Sequence, residues 1–400
     1  MNCARARRDV WISPYDFVSE VVREFRVPEN VGFYDCTLRD GEQVPGLVFR
    51  KDDKIKIAQA LDDLGVQRIE AGMPVVSPED KEATKALTKL GLRAEIWGFC
   101  RCLRRDVDAC MESDVSSVIC EIAVSKFKMK AYELTEHDVK DRMVDTITYA
   151  KEHGLNVAFF AVDATRAELE FLQEMYVSAV KEAHADEVVI VDTLGVALPE
   201  ALFYLTKKVK EWVDVPVHVH CHNEFGLATA CSLAAVKAGA EWVHVTVNGI
   251  GEKSGNADLS EVAMALLLLY NKDIGLRYKK LCEVSRLVQE LSGIKMPPNK
   301  PIVGDSIFKR ESGVAVLQLI RYPPSVEPFP PELVGGKRDI IIGKKSGKHS
   351  IEWKAKELGI TSLTDQQITE ILEKVKELAL KKKGPVGDEE FRSILNEIIK

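Results

Sequence analysis

Two features that mark other classes of protein are missing from this chain of 400 residues. It has no long apolar run, whereas a membrane-spanning helix needs roughly 18 consecutive apolar residues. It has no dense basic block of the kind that tracks a phosphate backbone, and its Lys, Arg, Asp and Glu are intermixed with a formal net charge of −7. We therefore expect neither a membrane nor a nucleic acid as a partner.

A disulfide or zinc-ribbon framework is also missing, although nine cysteines are present. No two of them have CxxC spacing, and several lie inside apolar runs, such as Cys36, Cys120 and Cys221. This placement is typical of small buried apolar side chains. The first thirty residues lack the apolar core of a secretion signal, so we expect a cytoplasmic protein.

Short β-branched runs alternate with segments of helical period, which is the pattern of βαβ units and a parallel sheet. With 46% hydrophobic residues the chain can bury a large core. Eight such repeats favour an α/β fold of the (β/α)8 TIM-barrel type over an open sheet, and a barrel takes about 250 residues. The predicted strands are 31–36, 67–72, 94–99, 116–123, 156–161, 187–193, 216–221 and 241–248.

The repeat stops after residue 275, and this divides the chain into four predicted segments. Residues 1–30 form an N-terminal extension and residues 31–275 the catalytic barrel. Residues 276–350 form a linker and accessory subdomain, beginning with one helix. Residues 351–400 form a C-terminal segment of two or three helices broken at Gly384–Pro385, so the accessory region is small and mostly helical.

The residues for chemistry lie where a barrel places its active site, at the carboxyl ends of the strands. Asp40 follows strand 1, whereas His220 and His222 lie on one side of strand 7. Strand 8 neighbours both strands in a closed barrel, so these groups converge. Two imidazoles and a carboxylate suit one divalent metal, Zn, Mn, Mg or Fe. A pair of hydrogen-bonded structural histidines is the alternative interpretation.

Two neighbouring groups have open interpretations. His218 either donates a hydrogen bond behind a metal ligand or is a core histidine with its hydrogen bonds satisfied. Arg39 either clamps a substrate carboxylate or enolate oxygen, or forms a structural ion pair with Glu70 or Glu252. The glycines of 249–255 allow the backbone to approach the metal closely, and a phosphate loop is the weaker alternative because the spacing fits neither common phosphate motif.

Three motifs in order carry a resemblance to a known family: DCTLRDGEQ at 35–43, HCHNEFG at 220–226 and NGIGEKSGN at 248–256. Over roughly residues 30–350 the chain resembles the homocitrate synthase and 2-isopropylmalate synthase family. That family is similar to a wider group of metal-dependent barrel enzymes, which includes HMG-CoA lyase. Its synthases condense acetyl-CoA with a metal-bound 2-oxo acid and then hydrolyse the thioester to release CoA.

The resemblance implies roles for individual residues. Asp40, His220 and His222 bind the metal, and Asn256 is a further ligand, direct or through water. Arg39 polarises the substrate oxygen. The candidate catalytic residues are Arg39, Gln43, Glu252 and His349. The candidate substrate-binding residues are Arg39, Gln43, Glu70, Thr193 and Lys128.

The chain departs from the family pattern at three places. Phe160 and Val162 stand where a polar Ser-x-Glu-Asp set is usual, and Lys128 stands where a His is common. The accessory motif His-x-Ser-Gly-Ile-His reads RESGVA at 310–315, so both of its histidines are missing. His349 is the histidine that remains in this region. These changes leave the identity of the acceptor 2-oxo acid open. The apolar bulk of Phe160 and Val162 favours an acceptor with fewer polar groups, whereas Lys126, Lys128 or Arg310 could hold the distal carboxylate of a larger one.

The leading hypothesis is a metal-dependent acyl-CoA:2-oxo acid C-acyltransferase with acetyl-CoA as co-substrate. The alternatives are a metal-dependent carbon–carbon lyase or aldolase, and a non-catalytic metal-binding regulator. The resemblance also implies a homodimer. Because the chain ends near residue 400, we expect the family's long C-terminal amino-acid-sensing domain to be absent.

Overall fold

The computed structural model describes residues 10–399. They form two compact units, Pro14–Met296 and a second unit that contains residues 10–13 and 297–399. The first unit extends past residue 275, where we placed the end of the barrel domain. The reason is that helix Leu281–Ser292 packs its buried face against helix Lys51–Leu64. Of the predicted N-terminal extension, residues 1–9 lie outside the described part of the chain.

Eight parallel strands close into a barrel, which confirms the predicted fold class. Strand β1 pairs with β8, with Gly32 opposite Trp242, and this pairing closes the ring. The strands are β1 (Gly32–Asp35), β2 (Arg68–Gly72), β3 (Glu95–Arg101), β4 (Ser117–Ala123), β5 (Asn156–Val162), β6 (Glu187–Asp192), β7 (Val217–Cys221) and β8 (Trp242–Val245).

Helices follow the strands around the barrel, after one short helix at the start of the unit. Several begin at side-chain caps: Ser77 accepts a hydrogen bond from the Asp80 N–H, and Thr135 accepts one from the Asp138 N–H. The helices are α1 (Ser19–Val22), α2 (Lys51–Leu64), α3 (Pro78–Thr88), α4 (Arg104–Glu112), α5 (Lys126–Ala131), α6 (Glu136–Glu152), α7 (Leu169–Lys181), α8 (Pro199–Trp212), α9 (Ala228–Ala238), α10 (Leu259–Leu268) and α11 (Leu281–Ser292).

Strand β8 ends three residues earlier than predicted, at Val245 instead of 248. The chain turns there because Asn248 adopts a left-handed conformation with φ of 63°, which asparagine tolerates better than most residues. The Asn248 side chain is held by Ser285, whose hydroxyl donates to Asn248 Oδ1 at 2.5 Å. The turn sends the glycine-rich segment back across the barrel end.

The second unit contains four helices and a short two-stranded parallel sheet. Its core includes Val316, Ile351, Ile371 and Phe391, all fully buried. One helix ends at Lys382 and the next begins at Asp388, so the helical segment breaks around Gly384–Pro385, as predicted. The elements are β9 (Lys309–Arg310), α12 (Gly313–Arg321), β10 (Asp339–Ile340), α13 (Lys348–Glu357), α14 (Asp365–Lys382) and α15 (Asp388–Ile398).

Two sequence-based predictions can be compared with the described residues directly. The eight cysteines within residues 10–399 are free and buried, as their apolar surroundings predict, whereas Cys3 lies outside this range. Among the same residues, no helix is both long enough and apolar enough to cross a membrane.

Candidate metal and substrate site

The loop after β1 is held by hydrogen bonds to its neighbours. Asp35, the last residue of β1, accepts hydrogen bonds from the backbone N–H of Thr37 at 2.9 Å and from its hydroxyl at 3.1 Å. The Thr37 hydroxyl oxygen accepts a hydrogen bond from the Val247 N–H at 2.9 Å. The loops after β1 and β8 are therefore tied together, and the Glu252 N–H reaches Oδ1 of Asp40 at 3.1 Å.

Asp40, His220 and His222 turn their ligand atoms toward one point. Oδ2 of Asp40 lies 3.4 Å from Nε2 of His220 and 3.7 Å from Nε2 of His222. The two imidazole nitrogens are 3.4 Å apart. All three side chains are buried. The predicted convergence of strands 1 and 7 thus produces a group of donors that could share one ion.

The protonation states of these side chains suit metal binding. Burial lowers the pKa of His220, and burial together with the neighbouring His220 lowers the pKa of His222 to about 4. Burial by itself raises the pKa of Asp40, but the Arg39 guanidinium and His220 hold it well below its usual range. Neutral imidazoles and an ionised carboxylate are the forms that coordinate a metal.

The buried side chain of Asn256 supports its predicted role as a metal ligand, in addition to the family motif. Its side-chain oxygen and nitrogen are both buried and have no hydrogen-bond partner among residues 10–399. A Cβ atom built on Gly251 would lie 2.3 Å from Asn256 Oδ1 and 2.8 Å from Asp40 Oδ1, so these two oxygens border the same small space. A buried amide without a partner costs free energy unless a ligand uses it. The residues present therefore fit a divalent metal.

A second potential donor group lies deeper in the barrel and shares His220. It comprises Cys36, His220 and His244, all buried. Asp40, His220 and His222 border the cavity described below, whereas neither Cys36 nor His244 does. A catalytic metal needs an open position for water or substrate, so we assign the metal to the group formed by Asp40, His220 and His222.

Arg39 is fixed beside the metal donors by two of its three side-chain nitrogens. Its Nε donates to Oε2 of Glu70 at 2.5 Å, and its Nη1 donates to Oδ2 of Asp40 at 3.0 Å. The guanidinium carbon lies 4.1 Å from the centre of the Phe99 ring. Nη2 is buried without a hydrogen-bond partner among residues 10–399. Arg39 therefore forms the structural ion pair with Glu70 and still offers a donor for a substrate oxygen.

Glu70 has a different place from the one we predicted. Its two oxygens are engaged by Arg39 and by the Tyr34 hydroxyl, which donates at 3.1 Å. The residue is fully buried and does not line the cavity. The predicted contact of Glu70 with substrate is therefore not what the geometry favours, because its oxygens already hold Arg39.

One cavity of about 600 Å³ opens over these residues at the carboxyl ends of the strands. Among the predicted site residues, it is lined by Arg39, Asp40, Gln43, Lys128, Thr193, His220, His222 and Glu252. His349 belongs to the second unit, where its Nδ1 lies 3.0 Å from Oε2 of Glu352 and the side chain is half-exposed. The role of His349 stays a prediction.

Two further charged residues at the site were missed by the sequence reasoning. Glu121 lines the cavity from β4, and its side chain has no hydrogen bond or ion pair within residues 10–399. Burial raises its pKa, while Arg39 opposes that shift. The sequence feature that could have identified Glu121 is its position as the one acidic residue inside the apolar run 116–123. Lys253 is the other, since its ammonium group lies 3.2 Å from Nδ1 of His222.

Two of the three basic residues proposed for a distal carboxylate are used elsewhere. The Arg310 guanidinium donates to the backbone carbonyls of Ile307, Lys309 and Val326 at 2.7–2.9 Å, and so acts as a structural clip. Lys126 forms an exposed ion pair with Glu168 at 2.7 Å. Lys128 alone of the three borders the cavity.

Comparisons with known proteins agree with these motifs. A family profile described as HMGL-like matches residues 30–288, and one described as homocitrate synthase post-HMGL domain-like matches residues 302–383. The chain is 45% identical to a homocitrate synthase AksA of Methanopyrus kandleri, over 97% of this chain and 96% of that protein. It is 44% identical to a 2-isopropylmalate synthase of Methanocaldococcus jannaschii, over 96% of this chain and 74% of that protein.

Other similar proteins broaden the picture. An (R)-citramalate synthase CimA of Methanocaldococcus jannaschii is 45% identical over 92% of this chain and 74% of its own length. An HMG-CoA lyase structure from Bacillus subtilis shares the fold with a TM-score of 0.61 and 17% identity, covering 68% of this chain and 97% of that one. The long matches to synthases make this chain an enzyme of the acyltransferase type, and the hypothesis of a non-catalytic regulator is not supported.

The metal donor group at the carboxyl ends of β1 and β7, the arginine beside it and two matching family profiles all indicate the same family. The chain belongs to the HMGL-like family, and within it to the branch that contains homocitrate, 2-isopropylmalate and citramalate synthases.

Proposed function

We propose that this enzyme joins acetyl-CoA to a small 2-oxo acid that lacks a second carboxylate. The observation that carries the proposal is the position of the unpartnered Nη2 of Arg39. It belongs to the guanidinium group that contacts Asp40 of the metal donor group, and Arg39 lines a cavity whose other walls include the apolar side chains of Met73, Phe160, Val162 and Val191. A carbonyl oxygen at that place would meet positive charge from two sides.

The reaction forms one carbon–carbon bond and breaks one thioester bond. A base removes a proton from the acetyl methyl group, the resulting carbanion attacks C2 of the oxo acid, and the former carbonyl oxygen takes up a proton. Water then hydrolyses the thioester and CoA leaves as its thiol. A bound divalent metal supplies Lewis-acid polarisation of the oxo acid.

The residues of this chain supply orientation and charge. Arg39 meets the negative charge that grows on the acceptor oxygen, and Glu70 holds its guanidinium in place. Gln43 and Glu252 lie at the cavity near the metal donors. We assign Glu252 to the catalytic set as a candidate base, with His349 of the second unit as the other candidate.

The acceptor end of the cavity favours an apolar chain. Met73, Phe160, Val162 and Val191 line it, and these side chains offer no hydrogen bond to a polar arm. Glu121 stands opposite Phe160 in the pairing of β4 with β5. Its carboxyl group would oppose a second carboxylate, because like charges brought together away from water cost several kcal/mol.

Apart from Arg39, the basic residues that line the cavity are Lys54 and Lys128. Lys54 is held by Glu42 at 2.7 Å and by Asp80 at 3.0 Å, so Lys128 is the one that could favour a distal carboxylate. Glu121 attracts Lys128 electrostatically, although the two side chains form no ion pair within residues 10–399. The negative charge of Glu121 therefore offsets part of the attraction that Lys128 would offer to a distal carboxylate. Pyruvate, 2-oxobutyrate and 2-oxoisovalerate fit this end better than 2-oxoglutarate or oxaloacetate do.

The experiment measures CoA thiol release by metal-loaded enzyme with acetyl-CoA and matched acceptors. The 2-oxovalerate and 2-oxoglutarate pair differs mainly in the second carboxylate. We expect kcat/KM to favour 2-oxovalerate at least about tenfold, and Glu121→Gln to reduce that preference about tenfold or more. Lys128→Gln is the matched control in the same cavity, and it should not improve the use of 2-oxoglutarate.

Three outcomes would contradict different parts of the proposal. A wild-type preference for 2-oxoglutarate would contradict the acceptor class and leave the condensation, whereas an acceptor ratio unchanged in Glu121→Gln would contradict the role given to Glu121. If metal-loaded protein released no CoA with any 2-oxo acid, the proposed condensation reaction would itself be contradicted. The next assay would then be carbon–carbon cleavage of 3-hydroxy acids and their CoA esters, the lyase alternative.

A further inference from the structure

A column of three buried imidazoles runs from the metal donors down through the barrel. Nδ1 of His220 lies 3.3 Å from Nδ1 of His244, and Nε2 of His244 lies 3.0 Å from Nδ1 of His218. Nε2 of His218 contacts a carboxylate oxygen of Glu187. All three imidazoles are at most 1% exposed, so water does not compete for these hydrogen bonds.

The column has a rigid lower end. The Arg68 guanidinium donates to both oxygens of Glu187, at 2.6 Å and 2.9 Å. The guanidinium carbon lies 3.7 Å from the ring centre of Trp242 and 4.7 Å from that of Trp97. A paired, stacked arginine fixes the Glu187 carboxylate, which can only accept hydrogen bonds.

The hydrogen bonds of the column are consistent in one direction only. A neutral imidazole donates through one nitrogen and accepts through the other. Because the Glu187 carboxylate can only accept, His218 donates to it from Nε2 and therefore accepts at Nδ1 from Nε2 of His244. His244 then accepts at Nδ1 from Nδ1 of His220, which leaves Nε2 of His220 without a proton and able to bind a metal.

Both ends of the column require this direction. At the top, a metal at Nε2 of His220 leaves the proton on Nδ1. At the bottom, the Glu187 carboxylate needs a donor from His218. The Tyr34 ring stacks on His244 with centroids 4.2 Å apart and planes 14° from parallel, which keeps His244 from turning over.

We propose that His244 and His218 are positioning residues, which hold His220 in the metal-binding tautomer through a hydrogen-bond chain anchored by Glu187 and Arg68. A partner that accepts the second N–H of a ligating histidine orients the ring and makes it a stronger ligand. The inference concerns the metal site, and it stands whichever acceptor the enzyme uses.

The deeper donor group provides the competing arrangement. Cys36 Sγ lies 3.7 Å from Nδ1 of His244. If a metal were bound by Cys36, His220 and His244, then Nδ1 of His220 would be a ligand and the chain could not run as described. The two arrangements therefore differ in tautomer and in the presence of a thiolate ligand.

The first test uses the unmodified full-length enzyme loaded with Zn²⁺ and labelled with ¹⁵N-histidine. We expect the ¹⁵N shifts to show Nδ1–H for His220 and Nε2–H for both His244 and His218. A proton on Nδ1 of His244 would overturn the proposal. This measurement needs no substitution in the core, so it does not depend on the folding of a variant.

The second test measures Co²⁺ affinity by competition with a chelator, together with the visible spectrum of the Co²⁺ protein. We expect His244→Leu to weaken binding by about 10–100-fold, the effect typical of losing such a partner. His244→Asn retains an oxygen that can accept from His220, and it should recover most of that loss. Equal losses in the Leu and Asn variants would count against the chain.

Cys36→Ala is the matched control beside His244. It should leave Co²⁺ affinity and the spectrum unchanged. A near-ultraviolet thiolate-to-cobalt band that disappears in Cys36→Ala would place the metal in the deeper group and overturn the proposal.

Discussion

Arg39 shows how one residue can combine a structural and a chemical task. Two of its nitrogens are used by Glu70 and Asp40, and the third, Nη2, is buried without a hydrogen-bond partner among residues 10–399. The ion pairs keep the guanidinium charged and immobile, since they raise its pKa even though burial opposes this. Such a fixed donor stabilises developing charge without reorganising during the reaction.

Arg39→Gln should lower kcat/KM by on the order of 10²–10³, the usual cost of losing one preorganised donor to a developing oxyanion. Steady-state CoA release measures this effect. Metal content by atomic absorption is the control, because Asp40 and the histidines remain. A loss of activity that merely follows a loss of metal would show that Arg39 acts through the ligands.

The lowered pKa of His222 predicts how the stability of the metal-free protein depends on pH. Its folded pKa of about 4 lies below the ordinary value of 6.5, so between these values the unfolded chain binds more protons than the folded one. The free energy of unfolding should therefore fall as the pH drops from about 6.5 to about 4, and this contribution vanishes above that window.

Urea unfolding with a chelator present, repeated across this range, measures the slope. His222→Gln should have a shallower dependence, because one of the buried histidines that resist protonation is removed. An identical slope in the variant would mean that His222 titrates normally in the folded state.

At the scale of elements, the loop after β8 is the part of the barrel most closely fitted to the site. It approaches the metal donors so tightly that side chains are excluded. A Cβ on Gly255, whose φ is 82°, would lie 1.9 Å from the carbonyl oxygen of Gly249, and one on Gly251 would meet Asn256 and Asp40. Glycine here is a requirement of close approach as well as of conformation.

Gly251→Ala should displace Asn256 or Asp40 and weaken metal binding while the barrel stays folded. Chelator competition measures the metal affinity, and circular dichroism measures the fold. Gly384→Ala is the matched control, because nothing lies within 4 Å of its Cβ position and its φ is not left-handed. Unchanged metal affinity in Gly251→Ala would show that these oxygens are not ligands.

At the scale of the whole molecule, the enzyme consists of the barrel unit and a second unit with its own core. The barrel contains all the predicted site residues except His349. The second unit lacks the two histidines of the family motif, and Arg310 in their place serves the local fold. His349 is the histidine that this unit retains, and its part in proton transfer stays a prediction.

The resemblance to the synthase family predicts a homodimer. Light scattering on the full-length protein at micromolar concentration should give about twice the chain mass, in keeping with the two-fold symmetry usual for oligomers. Dilution and high salt are useful controls for weak association. A single-chain mass under all of these conditions would contradict the prediction.

What the sequence determined by itself is local and periodic. Short β-branched runs, separated by segments of helical period, predict all eight strands, because the pattern of a buried strand depends on its own residues. The HCH motif and the loop after strand 1 likewise predict the metal group, since a closed barrel must bring their strands together.

Only the tertiary structure decided the pairings between distant residues. Glu70 holds Arg39 and does not line the cavity; Asn248 ends β8 early; and Glu121 lines the cavity from an apolar strand. The column from His220 to Glu187 likewise joins β6, β7 and β8. Each of these depends on which side chains meet in the barrel interior, and that is decided by packing in three dimensions, which no local pattern along the chain records.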